Sequence, residues 1–408
     1  MVGSKERQHS ERVPRIGKSK IKILPVAAIY GGNASGKSNL CKAFKFAKEF
    51  ISEGRPVDSS IPVKPFQLDP ESTKKPIKFV FEISIEDKIY EFGFIVSRLR
   101  VEKEWLKEIS GTSEKLLYER VNDQVSLQKK EKFLDFISQS TRSNQLFLTH
   151  SVNQNFDGFK HIYRWFKDDL TVISPDEKYI GYNPSPPEKG MFVSVSKLLD
   201  ELDTGITNLD TKRIPPESVP FLSIIKDDIS DTTDEPMVFS HKGERYFISS
   251  EKGKLKAEKL ISYHTDIKGN KVQFEISSES DGTLRLLDLL PALLIASDPE
   301  TSQVFIIDEL DRSLHTNLTR QVLDSYLENC NASSRSQFIF TTHDALLMDQ
   351  DLLRRDEMWL IERTNEGASR MFSISDFEKV RNDKDIRKSY LSGRFGGIPH
   401  IYLSDLKK

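Results

Sequence analysis

The residues best suited to chemistry are Gly31-Gly32-Asn33-Ala34-Ser35-Gly36-Lys37-Ser38-Asn39, a glycine-rich run ending in a lysine and a hydroxyl. Gly31 and Gly36 let the backbone curl so that its N–H groups converge on phosphate oxygens. Lys37 reaches toward β- and γ-phosphates, and the Ser38 hydroxyl can ligate Mg²⁺. Gly32, Asn33, Ala34, Ser35 and Asn39 complete this cradle. A second set lies far downstream in Val304-Phe305-Ile306-Ile307-Asp308-Glu309. There Asp308 would support the metal through water, and Glu309 would take the proton from an attacking water. A third is His343, at the end of Gln337-Phe338-Ile339-Phe340-Thr341-Thr342. A histidine at that tip can hydrogen-bond a γ-phosphate and report its loss.

Each set needs an element to hold it. Leu24 to Tyr30 reads as a buried strand, and Leu40, Phe44, Ala47 and Ile51 recur at helical spacing, so the glycine run joins a strand to a helix whose positive end faces the anion. The apolar runs before Asp308 and His343 read as buried parallel strands. Ser278-Glu279-Ser280-Asp281-Gly282-Thr283 opens a helix through Leu284, Leu287, Leu290 and Leu294. Ser280 suits its N-cap and Gly282 permits close backbone approach to a ligand, although an ordinary helix start has the same composition. Leu310 to His315 leads from the acids into a further helix through Leu318, Val322 and Leu323.

Between these parts the period changes. Residues 78–109 alternate apolar and polar, with a turn at Glu86-Asp87-Lys88, and shorter runs follow to Leu127, which together make an antiparallel meander. Residues 130–225 read mostly as helix, with Phe133, Phe136 and Ile137 on one face and Phe159, Ile162 and Phe166 on another, interrupted by Pro184-Ser185-Pro186-Pro187. Short strand-like runs return between Met237 and Phe274. Residues 1–20 are polar and basic and read as a loose lead-in. The acids Asp344, Asp349, Asp351, Asp356 and Glu357 read as surface, and the loop Gly393 to Pro399 as a docking element.

Composition limits the class. A net charge of −2 over 408 residues gives no global basis for nucleic-acid affinity. Two distant cysteines, Cys41 and Cys330, suggest neither a disulfide framework nor a zinc site, which fits a reducing cytoplasm. No apolar run reaches membrane-spanning length. His150, His161 and His264 lie far apart in sequence and read as ordinary histidines. No sustained heptad of a long coiled coil is present.

Phosphate loop, serine-glycine signature, Asp-Glu strand and strand-terminal histidine follow the order of the ABC-type ATPase clan, which includes the SMC proteins and the OLD nucleases. More closely, Leu24 to Gly31, Asn33 to Ser38, Pro65-Phe66, Glu279 to Thr283, Ser313-Leu314-His315 and Gly393-Arg394-Phe395-Gly396 resemble the abortive-infection ATPases of the RloA/AbiL type. Asp281 and Thr283 replace the glycine and glutamine of the transporter signature, and His315 stands at the D-loop aspartate. Relatives of this type begin with a further strand ahead of the basic segment, so the chain is either naturally short or starts downstream of its true beginning.

The resemblance implies bacterial anti-phage defence beside a separately encoded effector, such as a TOPRIM-like nuclease or another toxin. It implies a homodimer or higher even oligomer, with Ser280 and Gly282 completing the ATP site of a second copy. Gln67, past the phosphate loop, stands where ABC-type ATPases carry a residue sensing Mg²⁺ and γ-phosphate, and reads equally as an ordinary loop glutamine.

The expected fold is α/β, an ABC-type P-loop ATPase core with a mostly parallel sheet, an antiparallel β-meander and an inserted helical lid. The expected division is a split nucleotide-binding domain of residues 1–60 and 272–408, a meander over 61–128 and a mostly helical insertion over 129–271. Catalytic work falls to Glu309, His343 and Lys37, ATP binding to residues 31–39 with Gln67, Ser280 and Gly282, and Mg²⁺ to Ser38, Asp308 and Gln67. Two alternatives stay open: an ATP-gated scaffold that hydrolyses slowly or not at all while holding a toxic effector, and an SMC-like DNA-repair ATPase. The complex offers a route to nucleic acid, direct DNA binding by the chain stays open, and no membrane is expected. The chain is not expected to be a nuclease itself.

Overall fold

A computed structural model describes residues 1–17, 21–111, 113–128, 131–175, 190–223, 237–251, 254–377 and 385–398. Contacts divide the chain into two units, residues 1–172, 299–308 and 330–408 in the first and 173–298 and 309–329 in the second. The meander belongs with the first unit. Residues 272–298 and 309–329 cluster with the insertion, so contacts do not divide the chain at residue 272, where the sequence led us to expect a boundary.

In the first unit, β1 (Val26–Tyr30) is buried throughout and runs through the glycine turn into α1 (Lys37–Ser52). The meander consists of β2 (Ile77–Ile85), β3 (Lys88–Val96), β4 (Val101–Ser110), β5 (Ser113–Val121) and β6 (Gln124–Leu127), paired antiparallel in chain order. Its apolar face meets α1 through aromatic rings, with Phe46 5.2 Å from Phe79 and Phe50 5.8 Å from Phe94. Such ring pairs add to the area they bury.

Three short helices follow, α2 (Lys132–Ser140), α3 (Phe147–Asn153) and α4 (Lys160–Arg164), then β7 (Leu170–Ile173). Fully buried Glu104 of β4 accepts the N–H groups of Phe147 and Leu148 at 2.7 and 2.9 Å, satisfying two donors that open α3. Burial raises the pKa of this carboxyl, while Arg120 and its donors pull it back. Arg120 itself donates to the carbonyls of Asn122, Gln145 and Arg142. Phe159, Ile162 and Phe166 are buried as their spacing requires. On α2 the expected face is corrected: Leu134 and Ile137 are buried, whereas Phe133 and Phe136 are exposed. Leu134 and Ile137 join the buried cluster that also holds Phe92, Phe94, Leu106 and Tyr118 of the meander.

The second unit holds α5 (Gly190–Glu201), β8 (Asn208–Ile214), β9 (Met237–His241), β10 (Glu244–Glu251), β11 (Lys254–Thr265), β12 (Lys271–Glu275), α6 (Asp281–Ser297) and α7 (Thr316–Asn329). Its strands form one sheet in the order β12-β11-β10-β9, with β8 also paired to β11. Strands β7 and β8 fall within the stretch expected to be mostly helical; in short runs a strand partner overrides a weak helical period. Pro184 to Pro187 lie outside the described residues. Helix α6 carries Pro291 in its interior, which removes the N–H that the Leu287 carbonyl would accept. Buried Arg245 compensates, donating to that carbonyl at 3.3 Å and pairing with Asp288 at 2.5 Å.

The first unit's core sheet is completed by β13 (Val304–Ile307), β14 (Gln337–Thr342), β15 (Met358–Arg363) and β16 (Ser369–Ser373), and α8 (Ile386–Leu391) follows. The order is β16-β15-β1-β14-β13-β7, with β1 parallel to β14 and β15, β13 parallel to β14, and β16 antiparallel to β15. Tyr30 pairs with Thr342 and Ile307 with Phe340, so Gly31, Asp308 and His343 all leave the sheet at its carboxyl edge.

The lead-in is not loose. Val2 and Arg15 bridge to Ile23 and Lys22, Val13 and Ile16 are buried, and buried Arg12 donates to the Leu352 carbonyl at 2.8 Å and to Glu357 at 2.7 Å. Two acids expected at the surface are buried instead, Glu357 against Arg12 and Asp356 against Arg354. A basic run without period says nothing about the carboxylates it will meet in the fold.

Candidate functional site: the phosphate loop and its surroundings

The turn from β1 to α1 is shaped by glycine. Gly36 caps α1 at φ 108°, a conformation that costs glycine little. A Cβ at Gly31 would run into the Ile361 carbonyl of β15, and one at Gly36 into the Ser369 hydroxyl of β16. That hydroxyl donates to the Ser35 carbonyl at 2.7 Å, so β16 braces the loop from outside. Ala34 also takes a left-handed conformation, at φ 60°. Asn33, Ala34 and Asn39 are exposed, Gly32, Gly36 and Ser38 half-buried, and the buried Ser35 hydroxyl has no hydrogen-bond partner among the described residues.

Lys37 is only 5% exposed. Its ammonium donates to the carbonyls of Gly31 at 2.7 Å and Gly32 at 3.1 Å and lies 3.5 Å from His343 Nδ1. Asp308 is 4% exposed and accepts from the Thr341 hydroxyl of β14 at 2.6 Å. The Cys41 thiol, one turn along α1 from Lys37, is also hydrogen-bonded to Asp308, and burial followed by that carboxylate's charge pushes its pKa up. The structure thus brings together Lys37, Asp308 and His343. Gln67 is exposed on a loop, and its neighbour Leu68 lies beside Gly367 in the turn between β15 and β16.

Glu309, Ser280 and Gly282 belong to the second unit by contact. Glu309 sits at φ 51°, and its carbonyl accepts from Arg285 of α6 at 3.0 Å. Ser280 is the N-cap of α6 and accepts the Thr283 N–H at 3.2 Å, as its residue type suggests. The close approach at Gly282 is to protein, since a Cβ there would lie 2.8 Å from the Ser313 carbonyl. Just before the cap, Glu279 accepts from Ser262 at 2.5 Å and contacts His264 Nε2 at 2.8 Å.

The sequence reading gave no role to Cys41, Thr341, Ser369 and Arg285. Helical spacing from Lys37 pointed at Cys41, and the paired glycines at 396 and 397 were visible as a loop. Nothing local marked the other three.

A phosphate-type loop at the carboxyl edge of a mainly parallel sheet, with an acid-tipped strand two places away, is the construction of a P-loop ATPase. The chain belongs to the family described as "AAA domain, putative AbiEii toxin, Type IV TA system", whose model matches residues 26–349. Similar solved structures include one entitled "Crystal structure of the SmcHead bound to the C-winged helix domain of ScpA", at 14% identity and TM-score 0.35, covering 89% of this chain and 95% of that one. Another is the SMC head domain from Thermotoga maritima, at 13% identity and TM-score 0.28, covering 89% of this chain and 96% of that one. No curated protein matches the chain.

The family implies nucleotide binding, usually with Mg²⁺, and the residues present fit both. An ammonium, an unpartnered buried hydroxyl and a glycine-freed backbone suit phosphate oxygens. Among the described residues no group of three or more His, Cys, Asp or Glu side chains forms a metal cage. Ser38 and Asp308 would offer hard oxygen donors to a cation that also takes phosphate oxygens. No helix among the described residues is long and apolar enough to cross a membrane.

Proposed function

We propose that this chain binds and hydrolyses Mg-ATP in a head-to-tail dimer, and that the cycle switches a bacterial anti-phage defence system of the RloA/AbiL type between states. The observation that supports this most is the convergence of Lys37, His343 and Asp308 at one sheet edge. Backbone N–H groups of residues 31–39 cradle the phosphates, and Lys37 neutralises the β- and γ-phosphate charge. Ser38 and Asp308, with Gln67 as a third donor, hold Mg²⁺, which when bound offsets the charge developing on the phosphate oxygens. Glu309 takes the proton from the attacking water, and His343 senses the γ-phosphate. Ser280 and Gly282 of a second copy close the site, and a separately encoded effector, a TOPRIM-like nuclease or another toxin, receives the signal.

The test is steady-state phosphate release by the purified chain with Mg-ATP, compared with Lys37→Ala. Turnover that the substitution abolishes supports the proposal. Turnover below about one per minute, with ATP still bound, assigns the nucleotide a scaffolding role that holds the effector silent.

A further inference from the structure

We propose that the C-terminal segment Tyr390–Gly397 is a clasp on the phosphate loop, with Gly397 as the positioning residue for Lys37. The Gly397 carbonyl accepts the Gly32 N–H at 3.0 Å and the Tyr390 hydroxyl at 3.3 Å. Its N–H donates to Glu362 of β15 at 3.3 Å. Gly397 reaches all three partners at φ 72° and Gly396 stands at φ 76°, where a Cβ would run into the Glu362 carboxylate. The segment is anchored by buried Phe395, 5.0 Å from Phe377, and by the Tyr390 ring, 6.4 Å from Tyr30.

The consequence follows from peptide geometry. Gly32 N–H and Gly31 C=O belong to one planar trans peptide and point in opposite directions. Holding the N–H against Gly397 therefore turns the Gly31 carbonyl inward, where it accepts the Lys37 ammonium at 2.7 Å. With the clasp released, that peptide can rotate and Lys37 loses its 2.7 Å hydrogen bond to Gly31, while the Gly32 carbonyl at 3.1 Å and His343 at 3.5 Å still hold it. This segment, which the sequence suggested as a docking element, meets the chain's own loop through Gly397; Pro399 lies outside the described residues. The link from the clasp to ATP rests on the function proposed above.

The experiment compares Gly397→Ala with Gly393→Ala. Both residues are left-handed, at φ 72° and 77°, but a Cβ at Gly393 meets nothing within 4 Å. The two substitutions therefore carry similar strain in one segment, and only Gly397 touches the phosphate loop. Hydrogen–deuterium exchange without nucleotide should be faster over residues 31–36 in Gly397→Ala and unchanged in Gly393→Ala. ATP affinity, read by titration of a fluorescent analogue, should fall about tenfold in Gly397→Ala alone, the scale of one lost hydrogen bond.

Should Gly397→Ala fail to fold, Tyr390→Phe removes one donor to the same carbonyl without backbone strain, and should raise exchange over residues 31–36 about threefold. Equal effects from both glycine substitutions, or unchanged exchange in the Gly397 and Tyr390 variants, would overturn the clasp. If the unaltered chain binds no ATP, the proposed function fails while exchange still decides the clasp.

Discussion

The Lys37 ammonium lies 3.5 Å from Nδ1 of His343, joining the first turn of α1 to the tip of β14. An ammonium can only donate, so the tautomer that suits this contact accepts at Nδ1 and carries its N–H on Nε2, where it can donate to an anion. His343→Ala should therefore lower ATP turnover by about 10²-fold while leaving nucleotide affinity within about threefold. A phosphate-release assay alongside equilibrium binding checks this, and a parallel loss of affinity would instead make His343 part of the binding cradle.

Glu309→Gln should trap a nucleotide-bound dimer. With Glu309 as the proposed base, removing it should cost on the order of 10² to 10⁴ in hydrolysis while leaving the phosphate contacts in place, so the proposed closed state should accumulate. Ser280→Arg should prevent association with the loop untouched. Light scattering with Mg-ATP reads both, and a Glu309→Gln chain that binds ATP yet stays monomeric would refute the shared site.

Asp169 offers a test by pH. Burial, then the charge of Asp168, raises its carboxyl from 3.8 to about 6, and the Gln303 side-chain amide donates to it at 3.3 Å. Because the folded pKa is the higher one, stability falls as pH rises from 3.8 to about 6 and stays reduced above that window. Asp169→Asn should stabilise the protein at pH 8 by roughly 1 kcal/mol, after allowance for solvent screening, and have no effect near pH 4. Thermal unfolding at the two pH values decides it.

Arg12 ties the N-terminal stretch down. Arg12→Ala would take one hydrogen-bonded cation from buried Glu357, whose carboxyl burial pushes up to about 7 and which keeps the Arg354 N–H and charge, and should cost about 1–3 kcal/mol. We expect a lower melting temperature and new protease cleavage within residues 1–17, with both partly restored by the double substitution Arg12→Met/Glu357→Leu. Cleavage unchanged in Arg12→Ala would place the anchor elsewhere.

What the sequence by itself determined was local. Glycine spacing from Gly31 to Gly36 set the strand–turn–helix, the period of two from Phe79 set the meander, and Ser280 set the start of α6, because each depends on neighbours a few residues apart. Two apolar runs ending in Asp308 and His343 were legible as buried strands for the same reason. Tertiary structure alone decided that β14 lies between β1 and β13, and so brings His343 to Lys37 and Thr341 to Asp308. It also decided that Gly282 is small because the Ser313 carbonyl approaches it, that Arg12 is buried, and that Ser369 and Gly397 brace a loop more than 300 residues upstream. Those relations join residues whose own neighbourhoods carry no trace of the partner, since a hydrogen bond or a close backbone approach is specified by both ends and only the folded chain brings the two together.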